Sequence, residues 1–585
     1  DPLGLKTTYV YDAAGQLTRV SSPSVKGVVL TTSYVYNANG DVIQVTDAEG
    51  KSVSMEYDAS GNQVLQRDAV GNTVRRTFSS SNRLLTETTY TVADPDGAGS
   101  GVPQGPTTAR YVYDTANPNL LRFSISAEGR VTEYRYNAYG ERTVALQFAQ
   151  KSLYSVAALA VSETPTLAAM TTWSGQQDLT TLSRIDYQYD ARGQLTESAA
   201  AQKTTSTGVA DTAALIVRQT YVYSQTGQLL STIQQTSSGN AVTTYTYDGM
   251  GRLLSTTNAL GQTTVNTYDD AGNRTTIVAA NGLRTIQTYN KAGQLISVQQ
   301  ATATVADLGK TQYFYDADGQ LRMTQGPTGE RHWTLLDEVG RKVADIDPTG
   351  TLTEYVYNKQ GLLTRTIRYA AAVNTATLVN ASGQPTNPTL DSIRPAANAA
   401  DRSEWRAYDD SGRLLKTVDA LGSVAEYTYD GKSQLLSIRQ YANRVAVASL
   451  GNTPTAASIA PAANNATDRL TRNFYDADGL LQGSLDAEGY LTEHRYTASG
   501  LRYITIRYAT AVAAASLGNA TLASLRPKVA AQDVSTIRIF DGMGQVQAEI
   551  DAEGYVTTFK YNAMGLVSES KRFATKLSQS AINLA

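Results

Sequence analysis

An aromatic residue followed by a turn sequence returns every 21 residues in several stretches of this chain. The residues that keep this step are Tyr36, Tyr57 and Phe78 and, further on, Tyr247, Tyr268 and Tyr289. An internal repeat of this length is stronger evidence of architecture than any local motif, because each copy is one small unit that buries its apolar surface against its neighbours. The chain is therefore predicted to be an array of one short unit.

Each unit reads Tyr-Asp-x-x-Gly-x-Leu and carries a second Asp-Ala-x-Gly string before the next tyrosine. The residues that define the repeat are Tyr36 and Gly40; Tyr57, Asp58 and Gly61; Tyr247, Asp248 and Gly251; Tyr268, Asp269 and Gly272; Tyr315, Asp316 and Gly319; and Tyr475, Asp476 and Gly479. Aspartate favours the first position of a turn because its side chain accepts from nearby backbone N–H groups, and glycine adopts the positive φ that follows. Two turns per unit predict a β-hairpin.

The segments between the turns have strand length and strand composition, rich in Thr, Val, Tyr and Leu. Thr132, Tyr134 and Tyr136 alternate with Glu133 and Arg135, which puts the tyrosines on one face and the charges on the other. We predict that the tyrosine face is the packed one.

A lone hairpin is marginal in water, so the units must pair side by side. The predicted fold is all-β: a single array of hairpins over 1–585 that forms one long antiparallel sheet. Wide sheets twist and coil, so we expect a spiral shell, barrel or tube.

Longer segments interrupt the array at about 91–109, 148–184, 369–403, 441–470 and 508–535. The last three begin alike, with Ile-Arg-Tyr-Ala or Ile-Arg-Gln-Tyr-Ala, and the pattern recurs at steps of 72, 67 and 65 residues. This spacing predicts that the inserts gather on one side of the sheet. Ordered loops, short helices such as one over 509–517, and flexible decoration are the alternatives for their structure.

Composition excludes several classes of function. The 50 basic and 53 acidic residues give a net charge of −3, so nothing favours nucleic acid or an anionic membrane, which attract basic clusters. The absence of cysteine excludes disulfides, thiol catalysis and thiolate metal sites. No apolar run approaches the ~18 residues of a membrane span. The chain already begins inside a repeat, so we expect it to be an excerpt of a larger exported bacterial protein.

The residues that carry chemistry form no catalytic set. His332 and His494 lie at strand positions without recurring partners, and a structural role is predicted for both. The carboxylate pairs in 316–319 and 476–479 lack the longer frame of a calcium loop and are predicted to be turns, with weak cation binding as the alternative. Trp173, inside an insert, is the best candidate for an exposed binding contact. No catalytic residue, cofactor or metal is predicted.

Tyr-Asp at the start of each unit, glycine four residues after the tyrosine, and about 20 such copies resemble the YD repeats of the Rhs family. That family includes bacterial polymorphic toxins, the shell-forming B and C subunits of Tc toxin complexes, wall-associated proteins and the animal teneurins. The resemblance implies a β-sheet that spirals into a hollow shell, which in the toxins encloses a C-terminal effector. Asp1-Pro2-Leu3-Gly4-Leu5 matches a string found where such toxins are cut, but it leads directly into a repeat and is predicted to be a turn.

Two hypotheses for function follow, both with a secreted or cell-surface protein that is not an enzyme. In the first, the array forms a shell that encloses or presents a toxin or another segment of the same polypeptide. In the second, it is a fibre, stalk or adhesin whose repeated inserts bind carbohydrate, a partner or neighbouring chains. Plug regions at the ends would favour a shell, whereas evenly spaced inserts suit a rod.

Overall fold

A computed structural model describes residues 2, 4–94, 101–148, 153–236, 239–464, 466–513, 521–562 and 565–577. Its strands are β1 Thr8–Tyr11, β2 Leu17–Val25, β3 Val28–Tyr36, β4 Val42–Thr46, β5 Ser52–Tyr57, β6 Gln63–Arg67, β7 Thr73–Phe78, β8 Leu84–Val92, β9 Gln104–Tyr113, β10 Leu121–Ile125, β11 Val131–Tyr136, β12 Arg142–Gln147, β13 Ser183–Tyr189, β14 Leu195–Ala201, β15 Ile216–Tyr223, β16 Leu229–Thr236, β17 Gly239–Tyr247, β18 Leu253–Thr257, β19 Thr263–Asp269 and β20 Arg274–Val278.

The later strands are β21 Arg284–Tyr289, β22 Leu295–Ala301, β23 Gly309–Tyr315, β24 Leu321–Gln325, β25 Arg331–Leu336, β26 Lys342–Ile346, β27 Leu352–Tyr357, β28 Leu363–Arg368, β29 Arg402–Tyr408, β30 Leu414–Val418, β31 Val424–Tyr429, β32 Leu435–Gln440, β33 Arg469–Tyr475, β34 Leu481–Leu485, β35 Leu491–Tyr496, β36 Arg502–Arg507, β37 Val534–Phe540, β38 Val546–Ile550, β39 Val556–Tyr561 and β40 Val567–Arg572. The helices are α1 Leu167–Gly175, α2 Leu390–Ile393 and α3 Leu522–Leu525, and short 3-10 turns cover Leu179–Thr181, Thr375–Leu378 and Val447–Ser449.

Strands that follow one another in the chain pair antiparallel, as β1 with β2, β2 with β3 and β3 with β4. The forty strands belong to one sheet, which confirms the all-β class and the hairpin unit. The register shifts by one residue at the tyrosine of most units, so that Tyr36 pairs with Val42 and Tyr496 with Arg502. A bulge of this kind accommodates a turn whose last residue has a positive φ.

The chain divides into two compact units, each built from segments far apart in sequence. The first unit comprises Asp1–Ser54, Thr244–Tyr427 and Gln440–Asp468, and the second comprises Met55–Thr243, Thr428–Arg439 and Arg469–Ala585. Repeats of the same kind build both units. The organisation as a single array over 1–585 stays a prediction.

The hydrophobic cores lie between the sheet and the inserts. In the first unit, Ile346 and Leu352 of the sheet pack in one cluster with the insert residues Leu378 and Leu390. In the second unit, a cluster of the same design joins five sheet residues to three insert residues, namely Val112, Phe123, Ile125, Val131 and Leu146 with Phe148, Met170 and Leu182. The inserts are therefore a second layer that supplies about a third of the buried residues of these two clusters. A sheet with one bare apolar face needs such a covering layer.

The prediction that the tyrosine face is the packed one is wrong for the strands beneath the inserts. In β11, Val131 is fully buried and Glu133 is 4% exposed, whereas Tyr134 and Tyr136 are half-buried. In β27, Leu352 and Glu354 are buried in the same way. The alternation was predicted correctly, but the face that carries the glutamates is the deeply buried one because the inserts cover it.

The inserts begin and end differently from the prediction in places. Strands β8 and β9 extend into the predicted insert at 91–109, of which 95–100 lie outside the described residues. Of the predicted helix over 509–517, residues 509–513 form no helix and 514–517 lie outside the described residues. A further connection at 202–215, between β14 and β15, had no counterpart in the sequence prediction.

Candidate functional site

The first turn of each unit, which starts at the Asp or Asn after the repeat tyrosine, is closed by backbone and side-chain hydrogen bonds. At Asp58 the backbone N–H donates to the Asn62 carbonyl at 3.0 Å, and the Gly61 N–H donates to the Asp58 carbonyl at 3.1 Å. The Asp58 Oδ1 atom accepts from the Ser60 and Asn62 N–H groups, both at 2.9 Å. One carboxylate oxygen thus satisfies two backbone donors at the tip, which favours aspartate or asparagine here.

Glycine at the fourth position of this turn has a left-handed φ. The values are 90° at Gly40, 81° at Gly61, 84° at Gly251, 80° at Gly319 and 88° at Gly479. Gly272 differs from the prediction, because the neighbouring Asn273 takes the positive φ of 46°. There β19 extends to Asp269, which pairs with Arg274, so the turn is built one residue later.

The repeat tyrosines connect consecutive hairpins through their hydroxyl groups. Many of them donate to the backbone carbonyl at the start of the strand that follows the preceding first turn, as Tyr36 to Leu17 at 2.8 Å, Tyr136 to Leu121 at 2.8 Å, Tyr268 to Leu253 at 2.9 Å, Tyr315 to Leu295 at 2.8 Å, Tyr475 to Leu435 at 3.1 Å, Tyr496 to Leu481 at 2.8 Å and Tyr561 to Val546 at 2.8 Å. Tyr289 instead donates to the side chain of Gln287 at 3.1 Å. Sequence reasoning missed this role and assigned the tyrosines to an aromatic core. The recurrence of tyrosine over phenylalanine was the signal that a hydroxyl is needed.

A buried glutamate holds each of two inserts to the sheet. Glu354 of β27 accepts a 2.6 Å hydrogen bond from the Tyr369 hydroxyl and bonds of 2.8 and 2.9 Å from Arg394. Tyr369 opens the insert and Arg394 lies further along it, so one carboxylate fixes two points of the loop. Paired and fully hydrogen-bonded in this way, a carboxylate can be buried at small net cost.

The same three residues recur in the second unit. Glu493 of β35 accepts a 2.9 Å bond from Tyr508 and bonds of 2.8 and 3.1 Å from Arg526. Burial of Glu493 opposes its ionisation, but the hydrogen bonds from Arg526 and Tyr508 outweigh it, and its pKa is lowered. Burial and the hydrogen bond to Glu493 raise the pKa of Tyr508 to about 12.

The insert that begins at Tyr441 has a modified version of this anchor. Its glutamate, Glu426, accepts from the Tyr441 hydroxyl, but Ala460 stands where the other two inserts have arginine. Lys416, on the strand paired with that of Glu426, supplies the positive charge instead: its Nζ lies 3.4 Å from Glu426 and donates to the Ile459 carbonyl at 2.8 Å. The residues opposite the other two glutamates are Ala344 and Gly483, which leave room for the insert arginine.

The second turns, which carry the Asp-Ala-x-Gly or related string, bind inserts and first turns. Gly350 accepts at its carbonyl from the Val373 N–H of an insert at 2.8 Å. A Cβ atom on Gly350 would lie 2.3 Å from the Val373 carbonyl oxygen, so only glycine permits this approach.

Turns far apart in sequence also clasp one another within each unit. In the first unit, Glu49 of a second turn accepts from the Lys359 N–H of a first turn at 2.9 Å. In the second unit, Glu128 accepts in the same way from Ala477 at 2.6 Å, and Arg130 of that second turn pairs with Asp476 at 3.0 Å. The first turn that begins at Asp430 has glycine as its second residue. There the Gly431 N–H donates to the backbone carbonyl of Thr91 at 2.7 Å instead of to a glutamate.

The remaining candidates are placed within the packed layers. Trp173 lies on α1 and packs edge-on against Phe148 and Tyr154, with ring centroids at 5.0 and 5.7 Å. Its partial burial in this cluster indicates a core position, and ligand binding there stays a prediction. His494 is 9% exposed and 3.2 Å from the Thr505 hydroxyl, and burial, with Arg502 nearby, lowers its pKa.

His332 is exposed on β25. Among the residues that the structure describes, no group of three or more His, Cys, Asp or Glu side chains is arranged to hold a metal ion.

Two protein families match segments of the chain. The RHS repeat matches residues 1–24, 36–73 and 408–446, and the teneurin YD-shell matches 209–376. No curated protein matches the chain.

Solved structures of similar fold come from Tc toxins. A crystal structure of TcdB2-TccC3-TEV has a TM-score of 0.55 at 14% identity, over 97% of this chain and 31% of that chain. A crystal structure of TcdB2-TccC3 without its hypervariable C-terminal region has a TM-score of 0.55 at 13% identity, over 97% of this chain and 31% of that chain. The structure of the Photorhabdus luminescens Tc holotoxin pore with the mutation TccC3-D651A has a TM-score of 0.53 at 14% identity, over 97% of this chain and 30% of that chain.

The chain thus spans about a third of the length of these solved chains, and the likeness concerns the fold. The turn geometry, the two family matches and the common fold agree with one another. They confirm the resemblance drawn from the repeats: segments of this chain are similar to the RHS repeat and to the teneurin YD-shell, and its fold is similar to that of Tc toxin chains.

Proposed function

We propose that the chain is a wall segment of a YD-repeat shell, and that this shell encloses an effector polypeptide. The clasp between turns carries this proposal. In the first unit Glu49 binds a turn 310 residues away, and in the second unit Glu128 binds one 349 residues away. Contacts between turns several hundred residues apart bring the ends of distant hairpins together, which favours a continuous wall over an open ribbon.

The anchored inserts support the same role. Each buries apolar side chains against one face of the sheet, as Leu378 and Leu390 do, and its glutamate anchor is satisfied by residues of the insert. A wall needs this second layer to shield its packed face from water. The fold shared with Tc toxin chains is consistent with a segment that works by enclosing space.

A mechanical role without catalysis fits the described residues. The histidines are far apart in the repeat pattern, and buried carboxylates such as Glu354 and Asp476 are engaged in anchors, turn caps and clasps. We infer that an enzymatic activity, where the full toxin-like protein has one, belongs to the enclosed polypeptide. Secretion or display on the bacterial surface is part of the proposal. No helix in the described segments has the length and hydropathy needed to cross a membrane.

The fibre or adhesin function stays a second candidate because three inserts are anchored alike at Tyr369, Tyr441 and Tyr508. A regular series of this kind would present a repeated surface to carbohydrate or to neighbouring chains. The sheet-facing side chains of the inserts are occupied by packing, so only their outer surfaces are free for such contacts.

Cryo-electron microscopy of the purified full-length protein tests the two functions. A hollow particle with density inside it, and protection of that inner polypeptide from protease, is the result expected for a shell. A solid filament of uniform width, with every segment open to protease, would contradict it and favour the fibre.

A further inference from the structure

Two first turns of the chain share the string Phe-Tyr-Asp-Ala-Asp-Gly, at 314–319 and 474–479. Their local structures match closely. Gly319 and Gly479 have φ of 80° and 88°, and a Cβ on either glycine would lie 2.5 or 2.6 Å from the amide nitrogen of a glutamine on the neighbouring hairpin. Differences between the two turns therefore arise from what each one binds.

The turn at 476–479 holds an arginine. Arg130 donates to Asp476 at 3.0 Å and also to Asp478, whose carboxylate accepts from the Ser126 hydroxyl at 2.7 Å. The Glu128 N–H donates to Asp478 at 2.9 Å. The Asp476 side chain is 1% exposed, so its charge is stable there only because the guanidinium of Arg130 balances it.

The copy at 316–319 contains the same carboxylates without this ligand. Asp316 has a side chain that is 5% exposed, and its Oδ1 caps the turn by accepting from Asp318 and Gln320. Its Oδ2 and the Oδ1 of Asp318 are buried and accept no hydrogen bond from any residue that the structure describes. The Oδ2 of Asp316 corresponds to the Asp476 atom that accepts from Arg130, and the Oδ1 of Asp318 corresponds to the Asp478 atom that accepts from the Glu128 N–H.

A cavity of about 620 Å³ opens beside these carboxylates. Across it lie Leu5, Thr7 and Val20, which offer no positive charge. Arg322 of the same hairpin forms an ion pair with Asp316, but its Nε is 3.7 Å from the Asp316 Oδ2, which is beyond hydrogen-bonding distance. In the liganded turn the position of Arg322 is taken by Gln482.

We propose that the turn at 316–319 is a guanidinium site that binds an arginine side chain of a partner polypeptide. Asp316 and Asp318 form its two acceptors, and the Ala317 N–H, equivalent to that of Ala477, is available for a carboxylate next to the arginine. Arginine fits better than lysine because its planar fork reaches two carboxylates at once. This site is independent of the enclosure of an effector.

The test uses the whole chain and a labelled peptide, acetyl-Ser-Ala-Glu-Gly-Arg-Val-amide, which copies the sequence around Arg130. Fluorescence anisotropy measures its Kd. Asn replaces Asp naturally at other first turns such as that of Asn37, so Asp316→Asn with Asp318→Asn removes the charge and keeps the cap. The double variant is expected to bind at least about tenfold more weakly, since charge-assisted bonds to the guanidinium are lost.

Matched controls make the result specific. Asp12→Asn changes the charge of an exposed first turn and is expected to leave the Kd unchanged. Arg322→Gln, which recreates the residue of the liganded turn, is expected to tighten binding about threefold by removing the competing cation. If Asp316 had a purely structural role, Arg322→Gln would not tighten peptide binding.

Four results would overturn the proposal: no binding to the unmodified chain, equal binding by the Asp316→Asn, Asp318→Asn variant, equal binding of a peptide with citrulline in place of arginine, or binding that is lost only on changing Asp476 and Asp478. The last would place the peptide at the internal clasp. Thermal melting of each variant establishes that it is folded.

Discussion

The Tyr508 hydroxyl donates a 2.9 Å hydrogen bond to the carboxylate of Glu493, fifteen residues earlier in the chain. The same separation joins Tyr369 to Glu354 and Tyr441 to Glu426. In each case the glutamate lies on the sheet and the tyrosine opens an insert. The array therefore repeats a tertiary bond as well as a hairpin.

Glu493→Gln is expected to destabilise the protein by about 1–3 kcal/mol, because Arg526 and Tyr508 lose a charged acceptor in a buried setting. Urea unfolding monitored by tyrosine fluorescence measures the change. Glu569→Gln is the control, since its pair with Lys560 is exposed and changes stability by no more than about 0.5 kcal/mol. Equal unfolding curves for the two variants would refute the anchor.

The middle insert allows a compensation experiment. Lys416→Ala removes the cation near Glu426 and is expected to lower the melting temperature. Ala460→Arg supplies the arginine that the other inserts carry, so the double variant is expected to recover most of the loss. Failure of Ala460→Arg to improve the Lys416→Ala protein in differential scanning calorimetry would show that the two positions are not interchangeable.

Alanine substitutions at two glycines with similar φ angles can distinguish the cost of backbone strain in a turn from the cost of a lost contact with an insert. Gly350 has φ 87° and Gly261 has φ 74°. An alanine Cβ at Gly350 would lie 2.3 Å from the Val373 carbonyl oxygen, whereas the same atom at Gly261 meets nothing within 4 Å. Gly261→Ala is expected to lower the free energy of unfolding by about 1–2 kcal/mol, because alanine is strained in the left-handed backbone conformation. Gly350→Ala is expected to lower it by more, because its Cβ also clashes with the insert.

Hydrogen exchange distinguishes the two substitutions further. Gly350→Ala is expected to expose amides of the insert that starts at Tyr369, and Gly261→Ala is not. Identical exchange maps would contradict a role for Gly350 in docking.

Tyr496→Phe removes the hydroxyl that bonds to the Leu481 carbonyl and keeps the ring. We expect a loss of about 0.5–1.5 kcal/mol, the net contribution of one hydrogen bond. Phe78 naturally holds the equivalent position in another unit, so folding should persist. A variant as stable as the parent in urea would show that the hydroxyl bond does not stabilise the array.

Stability is expected to fall at high pH through Tyr508. Its pKa is about 12 in the folded protein against 10.0 for the free side chain, because burial and Glu493 disfavour the phenolate. The unfolded chain therefore loses this proton first, so the contribution is complete below pH 10 and is lost between pH 10 and about 12. In the Tyr508→Phe variant the melting temperature is expected to fall less steeply with pH over this interval than in the parent. An unchanged slope would contradict the assignment.

Local sequence determined the turns and the strands, because their causes are local. An aspartate caps the turn next to it and a glycine takes the φ of its own position, so Asp58 and Gly61 could be assigned from the repeat alone. Gly272 departed because an asparagine beside it, Asn273, also tolerates a positive φ. Neighbouring residue choice shifted that turn by one position.

The buried face was decided by contacts that the repeat does not contain. Glu133 and Glu354 looked like surface charges, since isolated carboxylates avoid burial. Glu354 is buried nevertheless, because Arg394 and Tyr369 donate hydrogen bonds to its carboxylate. Both belong to an insert whose path the repeat pattern does not specify. Trp173 looked free for the same reason, until α1 placed it against Phe148.

The sequence by itself determined the unit: a hairpin with capped turns, repeated into an antiparallel sheet, because alternation and turn chemistry act over a few residues. Tertiary structure alone decided which face is deeply buried, how the inserts are anchored and which turns clasp each other. Those contacts join residues separated by between 15 and 349 positions, as Tyr508 with Glu493 and Ala477 with Glu128. Their formation depends on how the paired hairpins within a unit bring distant turns and inserts together, which no short window of residues encodes.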